Sequence, residues 1–172
     1  MSPVANLTFP RTALTSPRCM HTGGIPPTLA SDGTSATPVI TETYISEITV
    51  DQPTEVTGIA VFNGSTAGGT DKHFAYITDA DGALVNANTL AAGTATSGAD
   101  SYQRIALTAP KVLAPGTYYI CLQMNGTTDR YNAHPFGNFG AGKKTSTVFG
   151  TAVAITPPTT FTADLGPMAS FY

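Results

Sequence analysis

The sequence predicts an all-β protein: an antiparallel β-sandwich, jelly-roll-like, carrying an extended N-terminal arm. Three observations predict it. The 172 residues include 29 threonines, 17 glycines and 13 prolines but only 8 basic and 11 acidic side chains, a composition suited to short strands joined by tight turns. From residue 39 onward apolar side chains recur with period two, and turn residues interrupt them roughly every ten positions. No apolar period of 3.6 persists long enough to build an amphipathic helix.

The arm spans residues 1–38. Six of the 13 prolines fall in it (Pro3, Pro10, Pro17, Pro26, Pro27 and Pro38). Proline removes a backbone donor and pushes the preceding residue toward extended conformation, so an extended strap is expected. Its charges are Arg11, Arg18 and Asp32. Val4, Leu7, Phe9, Leu14, Met20, Ile25 and Leu29 are scattered along it. A solvated linker gains nothing from such side chains. They are therefore expected to bind a partner, with the strap lying across neighbouring subunits. The competing expectation is an arm folded back over its own body.

The body runs from residue 39 to 172. Val39 to Val50 is rich in β-branched and aromatic residues and should form the first strand, ended by the turn Asp51-Gln52-Pro53. Glu55 to Phe62 should form the second, closed by Asn63-Gly64 and followed by a flexible loop at residues 65–70. Lys72 to Thr78 alternates His73, Ala75 and Ile77 against Phe74, Tyr76 and Thr78. Asp79-Ala80-Asp81-Gly82 has the residues of a type I turn, leading to a short strand near Leu84-Val85. A small-residue loop at 91–99 precedes the strand Tyr102 to Leu107. Pro115-Gly116 reads as a type II turn. After it, Tyr118, Ile120, Leu122 and Met124 share one face, with Tyr119, Cys121 and Gln123 on the other. Asn125-Gly126 ends that strand with a hairpin signal. Arg130 to His134 and Thr145 to Ile155 should add strands around a glycine- and aromatic-rich loop at 136–142. An extended tail follows from about residue 156.

The chemistry-bearing residues are few. His21, His73 and His134 are far apart in sequence and form no ligand pair of the HExxH kind. There is no GxSxG elbow, and the glycines before Lys143-Lys144 are wrongly spaced for a phosphate loop. Asp79 and Asp81 would require an acid or amide at position 83 to begin an EF-hand calcium loop, and Ala83 stands there. Glu42 and Glu47, five residues apart on one strand, would face opposite sides and cannot act as paired acid and base. No catalytic residue, metal ligand or cofactor is expected. Cys19 and Cys121 show no CxxC spacing, leaving two thiols or a single disulfide.

The net charge of −3, without a basic cluster, argues against nucleic-acid binding. No apolar run is long enough to span a membrane. The amino end shows no secretory signal, so the sequons headed by Asn6, Asn63 and Asn125 carry no weight. Tyr131, Phe136 and Phe139 cluster near Arg130, Asn132 and Asn138. They are candidates for a ligand or subunit contact, and for a sugar-stacking surface in particular.

The unit Leu113-Ala114-Pro115-Gly116-Thr117-Tyr118-Tyr119-Ile120 resembles a recurrent element of small β-sandwich structural proteins of tailed-bacteriophage virions. The ending Ile155 to Pro167 is similar to the closing segment of phage-encoded proteins. The resemblance implies a non-enzymatic virion protein assembled in the host cytoplasm. It would be a capsid decoration (cement) protein anchored by its arm to other virion subunits, commonly as a trimer. The alternative is a fibre- or tail-associated module that binds a receptor or carbohydrate.

Overall fold

The computed structural model describes residues 20–24 and 33–172. Within them the chain is all-β and antiparallel, with no α-helix. Eleven strands are formed: β1 (Thr34–Ala36), β2 (Thr43–Val50), β3 (Thr54–Phe62), β4 (Lys72–Asp79), β5 (Leu84–Asn88), β6 (Thr94–Ala95), β7 (Tyr102–Leu113), β8 (Gly116–Met124), β9 (Tyr131–Ala133), β10 (Ala141–Lys144) and β11 (Ala169–Phe171).

Two sheets face each other. The larger has the order β10-β2-β8-β4-β5, with β6 also paired to β4; the smaller is β11-β3-β7; β1 and β9 make a separate ribbon. The early strands pair with late ones in reverse order, β2 with β8 and β3 with β7. This nesting places the two antiparallel sheets face to face as a β-sandwich.

The alternation read from sequence sorts side chains as expected. Ala75, Ile77, Ile120, Leu122 and Met124 point between the sheets. There they meet Val56, Ile59 and Val61 of β3 and Ile105, Leu107 and Leu113 of β7. The other face of the larger sheet is also dry. Ile45, Phe74, Tyr76, Tyr119 and Cys121 form a second cluster with Ile155, against which Phe149, Ala152 and Val153 pack. Cys121 is buried and a free thiol, and burial holds its pKa up at about 12, so it is inert as a nucleophile.

The residues over that second face correct one expectation. Thr145 to Ile155 is not a strand but an irregular strap laid across the sheet. A segment crossing a sheet's face cannot reach its edge hydrogen bonds, so side chains and loops satisfy its backbone instead. Gln123 accepts from Gly150 N at 3.0 Å and donates to Thr151 O at 3.1 Å. Ile155 N donates to Gly82 O at 3.0 Å. The strand expected at residues 145–155 lies instead just before them as β10, which starts within the end of the expected loop.

Other differences are local. β7 continues through Pro110 to Leu113 because β3 absorbs a register shift between Val56 and Gly58. Asn125-Gly126 ends β8 without making a hairpin, since β9 pairs with β1. The Asp79–Gly82 turn forms as expected: Gly82 N donates to Asp79 O at 3.0 Å, and the Asp79 carboxylate accepts from Asp81 N and Ala83 N. That carboxylate serves the turn.

Candidate interaction site at the arm anchor

The described part of the arm is not a free strap. Met20 packs against the main core, and its carbonyl accepts from Phe171 N at 3.1 Å. His21 forms an antiparallel bridge with Ser170, extending the smaller sheet beyond β11. Residues 34–36 are β1, paired with β9. Met20 is thus a contact to the protein's own sandwich rather than to a partner, and residues 20–24 and 34–36 pack with the body expected to start at 39. Val4, Leu7, Phe9, Leu14, Ile25 and Leu29, and Cys19 with them, lie outside the described residues.

Thr22 is the centre of the anchor. Its side chain is buried, and Oγ1 lies 2.8 Å from His134 Nε2, 3.0 Å from Pro167 O and 3.2 Å from Ala169 O. It also accepts from Ala169 N at 3.0 Å. One hydroxyl therefore ties the arm to β9's continuation and to the approach to β11. A hydroxyl beside an imidazole is the geometry of a nucleophile with its base. Here, however, the oxygen is buried and its bonding capacity is taken up by two backbone carbonyls, an amide and the imidazole. Burial, with a smaller contribution from His21, lowers the His134 pKa to about 4, which keeps the ring neutral and able to bond Thr22. Thr22→Val, nearly isosteric, should cost about 2–3 kcal/mol, because it orphans a buried amide and a buried imidazole nitrogen. Urea unfolding would show this as a lowered midpoint at unchanged slope.

The aromatic candidates part company in three dimensions. Tyr131 is fully buried; its ring lies 4.8 Å from that of Tyr44, and its hydroxyl donates to Leu165 O at 2.9 Å. This removes it from any ligand or subunit surface. Its burial comes from segments far away in the chain, which the three residues of β9 cannot reveal. Phe139 is half-buried and packs edge-on against His134 and Phe161, with centroids 4.9 and 5.2 Å away. Phe136 alone of the three is exposed. The loop that carries them is held by Glu47, whose carboxylate accepts from Gly140 N at 2.7 Å while its own amide donates to Gly140 O at 2.8 Å. Between this loop and the anchor lies a shallow cleft of about 230 Å³ lined by Gly23, Glu47, Ile48, Thr49, Asn138 and Phe139.

Two further polar groups were invisible in sequence. Asp71 and Asp129 are both buried and cap each other's loops: Asp71 N donates to Asp129 Oδ2, and Asp129 N to Asp71 Oδ2, each at 2.8 Å. Thr96 adds a hydroxyl to Asp129 Oδ2. Asp71 Oδ2 and both Asp129 oxygens accept from backbone amides, and among the described residues no group of three or more His, Cys, Asp or Glu side chains is placed to hold a metal ion. Asn63 is likewise buried, with its amide donating to Ser97 O at 2.7 Å. Among the described residues no helix is long and apolar enough to cross a membrane. Compared with family models, with curated proteins and with solved structures, the chain matches none.

Proposed function

We propose that this protein is a non-enzymatic structural subunit of a virion, of the capsid-decoration type. Its sandwich serves as a rigid body, and residues 1–19 reach out to neighbouring subunits. The observation that carries the reading is the Thr22 anchor. It bolts the chain to the last strand of its own sandwich, so the segment bearing Val4, Leu7, Phe9 and Leu14 starts from a fixed root. A tether transmits force or positions a particle only if its root is fixed.

Energetics favours several arms acting together. Burying those four side chains is worth roughly 1.5–3 kcal/mol each, against about 1–2 kcal/mol for each backbone residue that becomes ordered. A single arm therefore binds weakly unless its backbone also bonds the partner. Linking arms in an oligomer, a trimer in the favoured reading, multiplies weak contacts into stable attachment.

Deleting residues 1–19 should leave the thermal midpoint within about 3 °C, because the anchor and the core are kept. The same deletion should remove the protein from density-gradient-purified particles of the virus that encodes it. Full retention on the particles would overturn the reading.

A further inference from the structure

Four large apolar side chains stand exposed on three loops that the fold stitches together. Val39 and Ile40 form the tip of the turn closed by Glu42 N donating to Val39 O. The next residue, Thr41, accepts from Thr147 N at 2.9 Å, which sets Val148, 69% exposed, beside that tip. The turn at 148–151 continues to Gly150, packed so closely on the Ala91 backbone that a Cβ there would meet Ala91 O at 2.4 Å. Ala91 brings its exposed neighbour Leu90 to the same rim. Isolated exposed apolar residues need no explanation, whereas a linked run of them marks an interaction surface.

We infer that this ridge seats the Leu7–Leu14 segment of a second copy of the chain. The inference rests on the strap reading above and names the strap's first partner. Residues 1–19 supply Leu7, Phe9 and Leu14 in a stretch that also holds Pro3, Pro10 and Pro17. Their only charges are Arg11 and Arg18, leaving six basic and eleven acidic side chains on residues 20–172, so arm and body attract. Root and ridge belong to different layers. Met20 enters beside β11 of the smaller sheet, while residues 147–150 belong to the strap over the far face of the larger one. Exchange between copies joins these two places without wrapping the arm around its own body.

The test uses two full-length variants: Phe9→Glu, which spoils the segment, and Ile40→Glu/Val148→Glu, which spoils the ridge at exposed positions. Sedimentation equilibrium should show the wild type self-associating, with each variant weakened at least about tenfold, as expected for losing one or two buried apolar side chains. Mixing the two variants should restore a one-to-one complex, since one intact segment meets one intact ridge. Wild-type-like masses for both variants, or a mixture that stays monomeric, would overturn the inference. A monomeric wild type whose melting point drops with either variant would also overturn it, by showing the arm seated on its own ridge. Wild-type protein that decorates particles but fails these association tests would leave the virion reading standing without the exchange. Exchange without particle binding would do the reverse.

Discussion

Acidification from pH 7.5 to 4.5 should remove several kcal/mol of folding stability, well above the ordinary cost of protonating surface carboxylates. Two buried histidines cause it. His73 has no solvent exposure, and neither ring nitrogen has a hydrogen-bond partner among the described residues. Burial lowers its pKa to about 4, with Asp129 opposing part of the effect. His134 is held at about 4 by burial and by His21. His21 is itself lowered by burial. The unfolded chain takes up these protons near pH 6.5 and the folded chain only near 4. The unfolded state thus binds more protons throughout that window, and stability falls as pH falls. Above about pH 7 the contribution is complete, and below about 4 the slope from these groups ends. A shift of that size is worth on the order of 3 kcal/mol per residue, and two such residues compare with the whole stability of a typical domain.

Asp129 does not confuse the measurement. Burial raises its pKa, but the bonds from Asp71 N, the Thr96 hydroxyl and Gly68 N outweigh this and leave it below 3.8. Its loss therefore falls below the histidine window. Guanidinium unfolding at pH 7.5, 6, 5 and 4.5 would trace the slope. His73→Leu, which sacrifices no hydrogen bond, should flatten it by about half. A midpoint constant over this range, or an unchanged slope in His73→Leu, would remove the buried histidines as the cause.

Tyr131→Ala should destabilise the protein by about 3–5 kcal/mol, as a large aromatic removed from a core does, whereas Phe136→Ala should stay within about 0.5 kcal/mol. Tyr131 is enclosed between β1 and the core, with Tyr44 against its ring and Leu165 O on its hydroxyl. Phe136 is 56% exposed. Tyr131→Phe, which loses only the hydroxyl, should cost about 1 kcal/mol. Thermal and chemical unfolding of the three variants would check the order. Equal small effects for Tyr131→Ala and Phe136→Ala would put Tyr131 back on the surface.

Local chemistry was legible wherever one stretch of chain decides its own structure. Period-two alternation in residues 72–78 and 117–124 named both faces of β4 and β8, and the structure fills both with core. The Asp79–Gly82 turn followed from its residue types. Residues 145–155 misled because β-branched and aromatic residues suit any apolar surface, a sheet's face as well as its ladder. The polar signs against a strand, Gln123 reaching for Gly150 and Thr151, sit more than twenty positions away. The docking of Thr22 was illegible for the same reason: the residues that hold it are His134, Pro167 and Ala169.

By itself, then, the sequence determined the all-β class, the main strands, the scarcity of charged side chains and the proline-rich, apolar composition of the first residues, since these depend on propensity, period and residue inventory. Only the tertiary structure decided that Met20–Gly24 belongs to the body, that Tyr131 is core, that His73 and His134 are shut away from protons, and that Val39, Ile40, Leu90 and Val148 share one rim. Each of those depends on contacts between segments tens of residues apart, whose pairing is set by how the whole chain closes around its core.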